Sequence, residues 1–360
     1  MIGIITFHCQ YNFGSALQAY ALQTTLEKLG HSNILINFYY KKDMKIYDVR
    51  WDSKRPDVIL FDLLTAKKNH ARKRAYHRFH NEFLRQTERT DDWMQLGSIC
   101  RNMDILICGS DQIWNLRLVQ GVHPAYYLRF AKPNQKRIAY APSFATSHIP
   151  EQYKDELKEA LQDFSAISVR ERSHAEELSS MLDRTVERTL DPALLLERKD
   201  YDVLLENFCV KLPKQYIFIY CLHHVNLKMV CKYAEKLAEE HNLKIVYFNK
   251  YDIHKRRYCV NIFELDPRAF VYAIKNAAFV VADSFHAAVF SIIYHKPFMS
   301  YSHDDTRNRL DSLYADLGIT GHFIGESVYQ PIEYNILDEK LALLRSDSLR
   351  FLMDALGGMA

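Results

Sequence analysis

Short apolar runs, each ending in a polar cluster, recur along this chain. IGIITF (2–7) ends in HCQYNFGS, DILICG (104–109) in SDQIWN, KRIAYA (136–141) in PSF, AISV (166–169) in RERS, and FVVA (279–282) in DSFH. A run of this length bounded by polar residues reads as a buried strand followed by a loop. Between the runs the spacing becomes helical. Leu17, Tyr20, Ala21, Leu26 and Leu29 recur on one face, with Gly30 placed to end the helix. Residues 151–163 and MVCKYAEKLAEEHN (229–242) read as helices, and DPRAFVYAIKNA is a helix opened by Asp266 with Pro267 in its first turn. NILINFYY, YIFIYCLHH (216–224) and LKIVYFN (243–249) supply further strands.

Strands alternating with helices predict α/β architecture with parallel sheets and ligand loops at the strands' carboxyl ends. RTLDPALLL (188–196), with its Asp-Pro turn, reads as a boundary. The expected organisation is a first domain over 1–195, a second over 196–335 and a helical segment over 336–360, the ligand lying in the cleft between the halves. Two domains also suit a chain of 360 residues.

The polar clusters are the candidate chemistry. At the DSFH seam the pattern places a strand over Phe279–Ala282, a loop over Ser284–His286 and a helix from Ala287. The helix start offers unpaired N–H groups to an anion, and His286 beside it can donate a proton or carry positive charge. The alternative is that Ser284 caps the helix and His286 packs. Arg170 stands just past a strand, where it can grip a carboxylate or phosphate in two-pronged fashion or pair with a neighbour such as Glu171. In GSDQIWN, Gly109 permits an unusual backbone, Ser110, Asp111 and Gln112 offer hydrogen bonds, and Trp114 offers an apolar plate of the kind on which sugar rings stack. Asn12, Gly14 and Ser15 open a helix through a loop suited to close approach, without a complete G-x-G-x-x-G. His223, His224, Tyr140 and Ser143 stand at strand ends with either a cleft-facing or a structural role open to them.

Composition narrows the classes. With 47 basic and 44 acidic residues the net charge is +3, which gives no reason to expect a nucleic-acid partner. The apolar runs are far shorter than a membrane span, and MIGIITF lacks the features of a secretory signal. Seven cysteines without a C-x-x-C pair suggest reduced, buried thiols in a cytoplasmic protein. No zinc framework appears, so no metal is expected. KKNHARKRAYHRFHNEFLRQTERT reads as a helix with a solvated face, whose basic residues could also lie against an anionic membrane surface.

These clusters, in this order, resemble the polysaccharide pyruvyl transferase family. The likeness runs from IGIITFHCQYNFGSALQAYALQTTLEKLG through GSDQIWN, RIAYAPSF, AISVRERS and LDPALLL to the DSFH seam and NRLDSLYADLGI. It implies two Rossmann-like domains facing a cleft, similar to GT-B glycosyltransferases. It also implies transfer of the pyruvyl group of phosphoenolpyruvate to a sugar of a cell-surface polysaccharide or its lipid-linked precursor, forming a pyruvate ketal with release of phosphate. Arg170 and His286 occupy the positions at which the family binds phosphoenolpyruvate and performs catalysis. One departure is plain: some members carry Arg-Leu-His at the seam, where this chain has Ser284-Phe285-His286, and Ala287 follows where many relatives have glycine.

On this reading Arg170 contacts the donor's anionic groups and His286 is the general acid or phosphate partner. Arg309 is a second cation, and Asp111 is a candidate base for the attacking hydroxyl. Ser110, Gln112, Trp114 and Ser284 border the substrates, with Asn12, Gly14 and Ser15 on the facing loop. Phosphoenolpyruvate is a substrate, and no cofactor is expected. Two other readings are a nucleotide-sugar glycosyltransferase and a member that binds sugars or anions without catalysis. Acceptor and oligomeric state are not encoded in any motif.

Overall fold

The computed structural model describes residues 1–40, 55–249, 259–261, 264–302 and 304–357. Among them are two parallel sheets. The first holds β1 (Ile2–Ile5), β2 (Asn33–Leu35), β3 (Ile105–Cys108), β4 (Lys136–Ala139), β5 (Ala166–Val169) and β6 (Glu187–Arg188) in the order β2-β1-β3-β4-β5-β6. The second holds β7 (Tyr216–Tyr220), β8 (Lys244–Asn249), β9 (Cys259–Asn261), β10 (Phe279–Ala282) and β11 (Phe298–Ser300) in the order β11-β10-β7-β8-β9. The main helices are α1 (Phe13–Lys28), α2 (Pro56–Phe83), α3 (Lys154–Leu161), α4 (Arg172–Leu182), α5 (Leu227–His241), α6 (Pro267–Asn276), α7 (Phe285–Ile293), α8 (Asp304–Leu317) and α9 (Tyr334–Leu356).

Strand order decides where a ligand can sit. In the first sheet the chain runs from β1 outward to β2, then returns to lay β3 on the other side of β1. In the second, β7, β8 and β9 run one way and β10 starts the other way beside β7. Where the order reverses, the loops at the carboxyl ends diverge and leave a crevice. The crevices therefore lie beyond Ile5 and Cys108 in one half and beyond Tyr220 and Ala282 in the other.

Helix α1 is buried on nearly every side, as a helix enclosed by the fold must be. Phe13 at its start stacks on Tyr76 and on Phe270 of α6, both at 5.7 Å, and touches Tyr220 at 5.9 Å. One apolar core thus runs continuously between the halves. Helix α9 closes the circuit by returning to the first half. Ser348 Oγ accepts from Leu190 N at 3.0 Å, and Phe351 packs on Tyr140.

Several expectations hold in detail. Gly30 follows the end of α1 with φ +83, and Asp266 accepts from Arg268 N at 2.9 Å to cap α6, with Pro267 in its first turn. The KKNHARKR segment is helical, but its face is not simply solvated. Ala71, Arg72, Ala75, Tyr76, Phe79 and His80 are buried, because helical spacing turns them all toward the core. Six cysteines form no disulfide, and five of them are buried. Among the described residues no helix is long and apolar enough to cross a membrane.

Candidate functional site

The two crevices face one another, and the polar residues that follow β1, β3, β5, β6 and β10 meet between them. The first-half floor is GSDQ. Gly109 has φ +120, and a Cβ there would lie 2.0 Å from Tyr140 O, so only glycine fits. The peptide bond to Ser110 is cis, and Asp111 has φ 70. Asp111 is held on both oxygens: Ser15 Oγ donates to Oδ2 at 2.5 Å and Gln112 N to Oδ1 at 2.8 Å. Ser110 Oγ donates to Ala141 O at 2.6 Å and accepts from Arg170 Nη2 at 2.6 Å.

Arg170, one residue beyond β5, is 3% exposed. Its counter-charge is Asp191, which follows β6; Arg170 Nη2 lies 2.6 Å from Asp191 Oδ2. The second half brings His286 to the same carboxylate, with Nε2 at 3.5 Å from Asp191 Oδ2. Burial alone would raise the pKa of Asp191, but Arg170 and His286 outweigh it and hold the carboxyl at about 2. Asp191 Oδ1 accepts from Ala193 N at 2.9 Å, which fixes the side chain. Glu171, the neighbour expected to pair with Arg170, takes a hydrogen bond from Ser143 Oγ instead and faces His174 at 3.7 Å.

Helix α7 starts at Phe285, two residues before the expected start, so His286 lies in its first turn rather than in the loop. Ser284 is the cap position by backbone geometry, yet its side chain makes no capping hydrogen bond. Asp283 ties the second crevice together, accepting from Leu222 N at 2.6 Å and His223 N at 2.9 Å and pairing with His223 Nδ1 at 3.0 Å. Those bonds, with burial working against them, leave the Asp283 carboxyl below its ordinary pKa. His223 is therefore engaged at the strand ends. Tyr140 donates to Leu190 O at 3.0 Å and is structural.

Gly14 explains how the halves come so close. A Cβ at this position would lie 2.2 Å from His286 Nδ1 and 2.4 Å from its Cγ. The missing side chain lets the start of α1 rest directly on the imidazole. Asn12 caps α1, accepting from Gly14 N at 2.9 Å and Ser15 N at 3.4 Å.

Arg309, on α8, joins the same seam. Its guanidinium lies 5.5 Å from the Phe285 ring centre, and that of Arg170 lies 4.8 Å from the same ring. With its oxygen turned toward α8, Gln112 accepts from Arg309 Nη1 and Nη2 at 3.0 and 3.2 Å. Burial, then the charge of Arg170, lowers the Arg309 pKa to about 10. Two guanidiniums thus press on each other in a nearly dry seam. Arg170 Nε and Nη1 and Arg309 Nε are buried without a hydrogen-bond acceptor, and His286 Nε2 has only Asp191 Oδ2 facing it at 3.5 Å. Each such donor costs about 1–3 kcal/mol, a cost that a bound anion would offset.

The site departs from expectation at Trp114. Its ring is fully buried, stacks on Tyr127 at 5.1 Å and packs on Phe144 and Phe164, with Nε1 donating to Tyr126 O at 3.2 Å. The first-half core needed a large aromatic there, so Trp114 is not a plate for sugar. Asp191 is the residue that motif reading missed, since its Asp-Pro turn looked like a boundary alone. The usable signal was its place within three residues of a strand's carboxyl end, shared with Asp111, Arg170 and Asp283. Among the described residues no group of three His, Cys, Asp or Glu could hold a metal ion.

Comparison with solved structures supports the architecture. The chain matches the UDP complex of MnaA from S. aureus at 13% identity and TM-score 0.51, covering 98% of this chain and 90% of that one. It also matches a UDP-N-acetylglucosamine 2-epimerase described as putative, from Listeria monocytogenes (13%, TM-score 0.46, coverage 98% and 90%), and the E. coli ADP-heptose lps heptosyltransferase II (11%, TM-score 0.37, coverage 96% and 98%). The MnaA match, with a TM-score above 0.5, together with the two parallel sheets, supports a GT-B-like fold. No curated protein matches the chain. A family model matches residues 12–305, a span that opens at the Asn12 cap and includes every residue of the Arg170–Asp191–His286 cluster, and on this match the chain belongs to the polysaccharide pyruvyl transferase family.

Proposed function

We propose that the seam binds phosphoenolpyruvate and transfers its pyruvyl group to a pair of sugar hydroxyls. The observation that carries this reading is the set of buried donors left without acceptors on Arg170 and Arg309, beside His286. Phosphoenolpyruvate bears a carboxylate and a phosphate close together, and two guanidiniums from opposite halves suit two anionic groups. Arg309 takes the place of the arginine that other members carry at position 284, and the first turn of α7 adds its N–H groups.

In the reaction, His286 protonates the methylene carbon, and the adjacent carbon gains oxocarbenium character. One sugar hydroxyl adds there and loses its proton to a base, for which Asp111 is the candidate. The C–O bond to phosphate breaks, inorganic phosphate leaves with the bonding pair, and the second hydroxyl adds to close the ketal. The second hydroxyl's proton passes to phosphate or solvent. The sum is one phosphoenolpyruvate and one diol giving one ketal and one phosphate, with no redox change and no cofactor. Asp191 touches neither substrate in this scheme; it positions Arg170 and His286 against one another.

Thermal denaturation with phosphoenolpyruvate tests the site. The parent protein should melt higher with rising ligand, and Arg170→Ala, Arg309→Ala and His286→Ala should each lose most of the shift while still melting cooperatively. Equal shifts in all four proteins would sink the assignment. A response to nucleotide-sugars with none to phosphoenolpyruvate would favour a glycosyltransferase.

A further inference from the structure

Helix α2 has two unlike halves. From Ala71 onward one face is buried in the core. Nearer its start, Leu60, Phe61, Leu63 and Leu64 are exposed by 58, 56, 46 and 73%. A single exposed leucine is ordinary, but four large apolar side chains within five positions form a patch that a monomer seldom leaves bare. Lys67, Arg74 and Arg78 are exposed on the same side of the helix as Leu60 and Leu64, each step being three, four or seven residues, with only the small, buried Ala71 interrupting the stripe. From Leu60 to Arg78 the stripe is about 27 Å long at 1.5 Å per residue. None of Lys67, Arg74 and Arg78 pairs with a described acid. The exposed acids on α2 already have partners, Asp57 in Arg55 and Glu82 in Arg268.

We propose that this face of α2 docks on an anionic lipid bilayer, Leu60 and Leu64 entering the headgroup boundary and the basic stripe lying along lipid phosphates. The charge pattern selects this occupant. A long stripe of one sign matches a continuous anionic plane, whereas a second copy of the chain would set the same three cations near their own kind. The helix is also tied to the site, since Arg72 Nη2 donates to Tyr11 O in the loop that opens α1. A bilayer held on the exposed face of α2 therefore lies across the helix from the Asn12–Ser15 loop, on the same element that contacts it through buried Arg72, a placement suited to an acceptor carried on lipid. The docking surface stands apart from the donor chemistry and can fail without it.

The test is flotation of the full-length protein with vesicles of phosphatidylcholine alone or mixed with phosphatidylglycerol, at low and high salt. The protein should float with the mixed vesicles at low salt and stay behind with phosphatidylcholine. Each basic residue near such a surface is worth roughly a fivefold factor in partitioning. Lys67→Gln/Arg74→Gln/Arg78→Gln should therefore bind on the order of a hundredfold more weakly. Leu60→Ser/Leu64→Ser should also lose binding, while Lys232→Gln/Lys236→Gln on α5 should keep it. Unchanged melting of each variant separates lost docking from lost folding, and phosphoenolpyruvate shifts should persist in all of them. Absence of flotation with mixed vesicles, or flotation that both α2 variants retain, overturns the proposal. So does a parent that sediments as a dimer and becomes monomeric in Leu60→Ser/Leu64→Ser, which would assign the patch to a second copy.

Discussion

Replacing Asp191 by asparagine removes one charge and almost no volume from the centre of the site. Asp191 is 1% exposed, and its Oδ2 lies 2.6 Å from Arg170 and 3.5 Å from His286. Two routes give the expected loss. Removing one partner from a buried ion pair costs about 3–5 kcal/mol, because the other charge stays buried alone. The carboxyl's displacement from 3.8 to about 2 gives about 2 kcal/mol of linkage. Asp191→Asn should therefore lose about 2–4 kcal/mol in denaturant titration at neutral pH. The variant also leaves Arg170 seeking an anion. Phosphate at about a hundredfold its dissociation constant returns about 2.7 kcal/mol, so phosphate should stabilise Asp191→Asn more than the parent. The pH dependence has a definite sign. A carboxyl whose folded pKa is depressed contributes its full stability above its unfolded pKa, near 4, and loses it as pH falls through about 2. The parent should lose stability across that window and Asp191→Asn should lose less. A loss under about 1 kcal/mol, or equal phosphate effects on both proteins, would refute the pairing argument.

Two further substitutions probe the close contact and the core. Gly14→Ala puts a methyl 2.2 Å from His286 Nδ1, so the imidazole or α1 must move. We expect a stability cost of about 1–3 kcal/mol and a weakened phosphoenolpyruvate shift, read by thermal denaturation. Trp114→Ala should cost about 3–5 kcal/mol as a core truncation, while Trp114→Phe should keep the phosphoenolpyruvate shift and the KM for any acceptor found. A large KM change with little loss of stability would restore a role in sugar binding.

The fold was legible because the strands are short and mostly buried and several end directly in polar residues, and the parallel pairings leave those residues at one end of each sheet. The seam motif could be placed for the same reason, although Phe285 begins α7 earlier than the pattern suggested. Ser284, offered as a cap in the alternative reading, takes that position by its backbone alone. Trp114 was misread because a core aromatic and a sugar platform look alike until the first half folds around Tyr127, Phe144 and Phe164. The role of Asp191 was hidden for a different cause. Its partners come from β5 and α7, far away in sequence, and only the facing of the two crevices brings them together. Gly14 likewise looks like one more loop glycine until His286 is seen against it.

The most direct test of pyruvyl transfer is a reaction in heavy water with phosphoenolpyruvate and a panel of saccharide acceptors, followed by phosphate assay and mass spectrometry of the product. The account predicts one phosphate released for each ketal formed, solvent deuterium in the ketal's methyl group, and loss of both signals in Arg170→Ala and His286→Ala. Phosphate released without a ketal, a ketal methyl free of deuterium, or consumption of a nucleotide-sugar in place of phosphoenolpyruvate would contradict it.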